Sequence, residues 1–322
     1  PRSTLDRSSA ASDVYKRQNR RGHMEVINKL DGIEMAAVCD LAEEIRNATA
    51  DEYGIKARFS SIDEMLDANI LDAVVIATPA HLNAKAAKPC LERGIHTLLE
   101  KPPGMSSSET SELRDIARKT GAKGMVGFQR RFNPIVVEAQ RMIRERGPIT
   151  QIMGEFHKSM TSVEKAGRFP ETLLDNLIFE SPIHAIALVR AVADSDVIEI
   201  HSAVSRSTSS NKDVHAALIV FENGCIAQIA ANYTGPTRLE RYEFHGHDIS
   251  TYLTGIKEGY AVTREGRVEI NAPVGSGGKD ELDHFFIDCI KQNRPITSPA
   301  ANLDEAVKTV ELTEGILKGL RE

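Results

Sequence analysis

The sequence predicts an α/β protein: a doubly wound parallel sheet followed by an α+β domain with an open, mostly antiparallel sheet. Three observations predict it. Between His23 and Phe128, helical and apolar segments alternate at the pace of βαβ units. The run Leu71–Thr78 (LDAVVIAT) is continuously apolar, as a strand covered on both faces must be. Beyond residue 128 the alternation gives way to hairpin signals, Glu222-Asn223-Gly224 and Glu265-Gly266.

The elements follow in order. Pro1–Gln18 is rich in Ser, Arg and Asp and has no helix or strand period. Its SAASDVYKRQ run resembles translated sequencing-adaptor readthrough, and the segment reads as a foreign or disordered tail. His23–Leu30 has Met24, Ile27 and Leu30 at helical spacing, and Ile33–Asp40 is a strand ending in an acid. Leu41–Tyr53 is a helix stopped at Gly54, and Asp63–Leu66 is a short one. After the Leu71–Thr78 strand, His81–Arg93 is a helix closed by Gly94. Ile95–Leu99 and Gly124–Phe128 are strands, with the helix Ser107–Lys119 between them. Pro134–Arg146 is a helix, Ile149–Lys158 a strand, and a helix lies near Pro182–Val192. Ala216–Phe221 pairs with Cys225–Asn232, and Tyr260–Thr263 with Val268–Ile270. Two helices end the chain, Asp280–Gln292 and Leu303–Leu320, the second with Asn302 and Glu305 placed to cap it. This divides the chain into a tail (1–18), an incomplete first domain (19–127) and a second domain with the C-terminal helices (128–322).

Composition excludes several functions. The 322 residues suit two domains, and 41% apolar with 27% charged residues is a globular balance. A net charge of −6 lacks the cationic field that nucleic acid requires. No apolar run is long enough for a membrane span, and no signal peptide is visible. Cys39, Cys90, Cys225 and Cys289 stand apart without metal-ligand spacing, which predicts reduced thiols, no metal site and a cytoplasmic protein.

A doubly wound sheet binds ligands beyond the carboxyl ends of its strands, so the residues that follow each strand are the candidates. The strand and the first two glycines of a GxGxxG opening are absent from the sequence, and Gly22 fits the third glycine. Asp40 follows Gly22 by 18 residues and fits the acid that accepts ribose hydroxyls; a turn or helix-cap role is the alternative. An acid there repels a 2′-phosphate, so NAD is expected over NADP. Thr78, Pro79, His81 and Asn83 open the next helix, whose free N–H groups could face a pyrophosphate or ribose, or simply form a good turn. Glu100 and Lys101 end the following strand inside the expected crevice; Lys101 is a site residue there or a solvated surface lysine.

The stretches ATPAHLNAKAAKPCLERGIHTLLEKP and GFQRRFNP resemble the Gfo/Idh/MocA family of nicotinamide-dependent oxidoreductases, and the resemblance runs from about Asn19 to the end. It implies a Rossmann domain, and a second-domain sheet that forms a dimer or tetramer interface. It further implies that Lys101 lies at the substrate and the nicotinamide. An acid and a histidine four residues apart, Glu180 and His184 in FESPIHAIALVR, are implied on the helix entering the second domain. The sequence departs from the pattern in Glu180, where Asp is usual, and in Ala187, where a second Asp often stands. On this basis the expected activity is hydride transfer between NAD and a sugar, cyclitol or similar polyhydroxylated substrate. The alternatives are a glycosidase using NAD transiently and a non-catalytic NAD- or sugar-binding sensor. His184 is the candidate base, Glu180 its orienting partner and Lys101 the group that stabilises the alkoxide. Gln129 could face the cofactor; Arg130, His157, Asp175 and Asn176 could face the substrate. His245 and His247 share a strand face without a third ligand type nearby.

Overall fold

A computed structural model describes residues 22–167, 169–255, 257–273 and 277–321. The expected tail, and the opening of the first domain where a strand is expected, lie outside the described residues. Residues 22–27 are helical (α1). There follow β1 (Ala37–Cys39), α2 (Glu43–Tyr53), β2 (Ala57–Phe59), α3 (Ile62–Asp67), β3 (Ala73–Ile76), α4 (Asn83–Glu92), β4 (His96–Leu99), α5 (Ser107–Thr120) and β5 (Gly124–Val126). Local chemistry sets these boundaries. Ser106 caps α5 by accepting from Glu109 N–H at 3.2 Å, and Gly54 and Gly121 close α2 and α5 in the left-handed conformation that favours glycine. β1 pairs with β2 and β3–β4–β5 pair in sequence, all parallel. β1 and β2 form a two-stranded sheet of their own, with Asp40 following β1; in the sheet of β3, β4 and β5 the carboxyl ends point one way, carrying Thr78 and Glu100 to one edge.

The second half begins with α6 (Pro134–Arg144), β6 (Gln151–Ser159), α7 (Met160–Lys165), α8 (Glu171–Leu174) and α9 (Ile183–Ala193). β7 (Val197–Ser205), β8 (Val214–Phe221), β9 (Ile226–Asn232), β10 (Thr234–Gly246), β11 (Ile249–Thr254), β12 (Glu258–Thr263) and β13 (Gly266–Glu269) complete an eight-stranded sheet, ordered β13-β12-β11-β10-β6-β9-β8-β7. Only β6 and β9 run parallel in it. α9 (IHAIALVRAVA) is apolar on every side and buried almost throughout, wedged between the sheet and the C-terminal helix.

The chain then returns. α10 (Lys279–Lys291) packs Leu282, Phe286 and Cys289 against Leu98 of β4 and Met125 of β5. β14 (Ala301–Asn302) adds antiparallel to β5, and α11 (Leu303–Leu317) lies across α5, β7 and α9. The boundary expected at residue 128 assigned these elements to the second domain; the structure lays residues 279–302 on the first, because their apolar faces fit the open edge and face of its sheet. α11 starts as expected, with Asn302 Oδ1 accepting from Glu305 N–H at 2.9 Å. β10 ends at Gly246, so His247 lies in the turn after it rather than on a strand with His245. Among the described residues no helix is long and apolar enough to cross a membrane.

Candidate active site

The turn after β4 carries Glu100, Lys101 and Pro102. It is fixed from behind by Asn83, whose Nδ2 donates to the carbonyls of Glu100 and Pro102, each at 2.8 Å. Thr78 Oγ1 donates to Asn83 Oδ1 at 2.8 Å. Asn83 is fully buried, so its amide shapes the lysine turn instead of touching a cofactor as the sequence suggested. This is the hydrogen-bond logic of a buried amide: each polar atom is used, and the backbone around Lys101 has a single arrangement.

Glu100 is held by a group the sequence did not single out. His23 Nε2 lies 3.2 Å from Glu100 Oε1, and His23 Nδ1 lies 2.7 Å from Asp283 Oδ1 on α10. Burial opposes ionisation of Glu100, yet the His23 hydrogen bond and the charges of His23, Lys279 and Lys101 hold its carboxyl down at about 2. Burial likewise opposes charge on His23, and the hydrogen bonds to Asp283 and Glu100 overcome it and raise the imidazole.

Lys101 crosses from the first unit to the second. Its Nζ donates to the backbone carbonyl of Glu180 and stands 3.8 Å from Glu180 Oε1. Lys158 on β6 donates to Glu180 Oε2 at 2.9 Å and to Ser181 Oγ at 2.7 Å, and Ser181 Oγ donates to the same carboxylate. Burial works against the Glu180 charge, but Lys101 and Lys158 prevail and hold it at about 2. Glu180 does not orient His184 as expected. α9 starts only at Ile183, after Pro182, so Glu180 precedes the helix and the four-residue spacing does not put both groups on one face. His184 is buried, edge-on to Phe128 with ring centroids 6.4 Å apart, and its Nδ1 has no hydrogen-bond partner. Burial, then the charges of Arg130, Lys101, Arg238 and Lys158, push its pKa well below the ordinary 6.5.

The other expected residues divide. Arg130 makes a buried two-point ion pair with Glu240 at 3.0 and 3.1 Å, and Arg238 and Tyr242 reach the same carboxylate at 2.7 and 2.8 Å. Arg130 is thus a buried cation beside His184, engaged by Glu240. His157 pairs with Leu239 and lies on the outer face of the sheet with Glu155, because a strand alternates sides; its neighbour Lys158 takes the inward place. Asp175 is bound by Arg206 at 3.0 Å and Lys212 at 2.8 Å, in a separate cluster. Asn176 accepts from Lys212 Nζ at 3.1 Å. It also lines a cavity of about 280 Å³ with His81, Met105, Thr172, Phe179 and Glu314. Pro79 precedes a single 3-10 turn, Ala80–Leu82, and accepts from Leu82 N–H at 2.7 Å. In its satisfied amide orientation, Gln129 donates to Gly127 O at 2.8 Å and accepts from Arg130 Nη1 at 2.7 Å, so it braces Arg130. Asp40 Oδ1 accepts from Ala42 N–H at 2.9 Å at the end of β1.

Thr78, Glu100 and Lys101 follow β3 and β4 at one edge of their sheet, where a dinucleotide would lie, and Asp40 follows β1 in the two-stranded sheet. A Cβ at Gly22 would come to 2.7 Å from Lys279 Nζ, the movable end of a flexible side chain, so a larger residue there asks only that the lysine shift. The unpartnered Nδ1 of His184 fits a reacting oxygen.

The fold and site define a Rossmann-type oxidoreductase. The family profile described as "Oxidoreductase family, NAD-binding Rossmann fold" matches residues 18–128, and the "GFO/IDH/MocA C-terminal domain" matches residues 136–251. The chain belongs to the Gfo/Idh/MocA family. It is 25% identical over 277 residues to the uncharacterized oxidoreductase YrbE of Bacillus subtilis, covering 82% of this chain and 76% of that protein. It is 24% identical over 328 residues to D-apiose dehydrogenase of Paraburkholderia graminis, covering 94% and 85%. In structure it is similar to aldose-aldose oxidoreductase from Caulobacter crescentus, with a TM-score of 0.82 at 17% identity over 94% of each chain.

Proposed function

We propose that this protein transfers a hydride between NAD and a hydroxyl-bearing carbon of a sugar, cyclitol or similar polyhydroxylated compound. The observation that carries the reading is the Lys101–Glu180 bond, which holds the amine within electrostatic reach of His184. Relatives named for apiose, xylose and scyllo-inositol dehydrogenation support the substrate class.

Bound at this edge, the nicotinamide would supply the hydride acceptor or donor. His184, neutral because its pKa is lowered, accepts the hydroxyl proton through a ring nitrogen. Lys101 stabilises the oxygen as charge develops on it. Glu180 balances the amine, while Asn83 and Thr78 hold its backbone. Asp40 favours NAD, since its carboxylate repels a 2′-phosphate.

The outer face of the large sheet exposes Leu218, Ile226, Leu239 and Val262 beside the stacked pair Tyr252–Tyr260. This supports a homo-oligomer formed through that face. Four free cysteines, three of them buried, favour the cytoplasm. The test is a fluorescence titration of the purified protein with NAD, followed by a panel of polyols. NAD binding with reduction on at least one polyol is expected; neither binding nor turnover refutes the reading.

A further inference from the structure

The charges around His184 do not balance. Glu180 is shared by two lysines, Lys101 and Lys158, and Glu240 by two arginines, Arg130 and Arg238. Lys101 also faces Glu100, yet the four charges that act most strongly on His184 are all cations. Either carboxylate would be matched by one cation. Arg130 already makes a two-point pair with Glu240, and Tyr242 adds a third bond to it. The second cation of each set is therefore more than the fold requires.

Those second cations are also the accessible ones. Lys158 keeps 21% and Arg238 54% of its side chain exposed, against 6% for Lys101 and 9% for Arg130. Both lie on the inner face of the sheet along β6: Lys158 reaches Glu180 and Ser181, and Arg238 lies over the ring of Phe156, two residues before Lys158. The Arg238 guanidinium lies over the Phe156 ring at 5.2 Å and spends one hydrogen bond on Glu240, leaving further N–H donors toward the open side.

We propose that the substrate carries an anionic group, a carboxylate or a phosphate, held by Lys158 and Arg238 beside the hydroxyl that reacts. The inference deepens the redox reading and rests on it for the word substrate. Its chemistry is coherent. A lone cationic cluster makes His184 a weak base, and an incoming anion offsets that cluster, which returns basicity to the imidazole when the substrate is bound. A neutral sugar would leave the excess charge in place.

The experiment pairs D-galacturonate with D-galactose, and D-glucose 6-phosphate with D-glucose, using the full chain and NAD. At least one anion is expected to exceed its neutral partner about tenfold in kcat/KM, with the gap closing as salt is added. The pair that shows the preference tells carboxylate from phosphate. Arg238→Gln and Lys158→Met should each shrink the ratio about tenfold. Neutral members matching or beating both anions, or a ratio unchanged in both variants, overturns the inference and leaves the redox reading standing. If none of the four is oxidised, thermal melting decides. Stabilisation by an anion, absent with its neutral partner and lost in Arg238→Gln, sustains the anion site while the redox reading fails on these substrates. Equal melting with anion and neutral partner sinks it.

Discussion

The Lys101 ammonium donates to the main-chain carbonyl of Glu180, a residue 79 positions further along the chain. One bond thus joins the turn after β4 to the entry of α9, and the chemistry assigned to Lys101 depends on it. Lys101→Met removes both the positioned donor and the charge opposite a buried carboxylate. A loss of about 10²–10³ in kcat is expected, read by cofactor reduction with the best polyol. Activity within a factor of two of the parent would remove Lys101 from the mechanism.

The base must be neutral to act. His184 has its pKa lowered, so kcat/KM should fall only as pH drops through a value below 6.5, and not near 6.5 itself. Lys158 is one of the charges that depress it. In Lys158→Met the acid limb should therefore move to higher pH. A pH–rate profile of both proteins measures this; an unmoved limb separates Lys158 from His184.

Arg130 and Glu240 form a buried pair, and Glu240 is held at about 2 against an ordinary 4.5. A depressed carboxylate stabilises the fold fully above its unfolded pKa, and that stability is lost as pH falls from about 4.5 through about 2. Arg130→Met should cost about 1.5–3 kcal/mol in urea unfolding near pH 7, because it leaves buried Glu240 with only Arg238 and Tyr242. The same substitution should cost less at about pH 3, where the parent is losing that contribution as well. An equal cost at both pH values contradicts the assignment.

Cofactor choice is placed on Asp40. Asp40→Ser removes the like charge at the end of β1 while keeping an oxygen for the Ala42 N–H. The ratio of kcat/KM for NADP over NAD is expected to rise at least about tenfold, a change of roughly 1.4 kcal/mol. A ratio that stays constant moves the discriminator elsewhere.

The exposed apolar face should be covered in solution. Ile226→Arg introduces a charge there without touching the inner core, since Ile226 points away from it. Sedimentation should show a shift to smaller species with secondary structure retained. A parent that is already monomeric at micromolar concentration refutes the interface.

Much of the fold was legible because its signals are local. A continuous apolar run marked β3, and Asn223-Gly224 marked the β8–β9 hairpin, since backbone sterics act within a few residues. β2 escaped because three residues with Arg58 at their centre carry no period. β14 escaped for the same reason, and its pairing is settled by a partner far away in sequence. At the candidate site, Lys101 and His184 came from motif position, and the structure puts the Lys101 charge within electrostatic reach of His184. The roles of Asn83 and Glu180 were not, because helix starts decide them: Asn83 begins α4 facing inward, and Pro182 cuts Glu180 off from α9. Lys158 was one residue from His157, a difference that only the side-alternation of a placed strand resolves. His23 and Asp283 meet across 260 residues, beyond any local rule.

The closing of the first sheet by β14 and α10 bears on synthesis. A ribosome delivers β4 and β5 long before the segment that covers them, so Leu98 and Met125 must wait, apolar and uncovered, until the last part of the chain emerges. The nucleotide-binding half therefore matures only once residues 279–302 have emerged, and truncations near residue 280 should leave Leu98 and Met125 bare while also stripping α11 from β7 and α9.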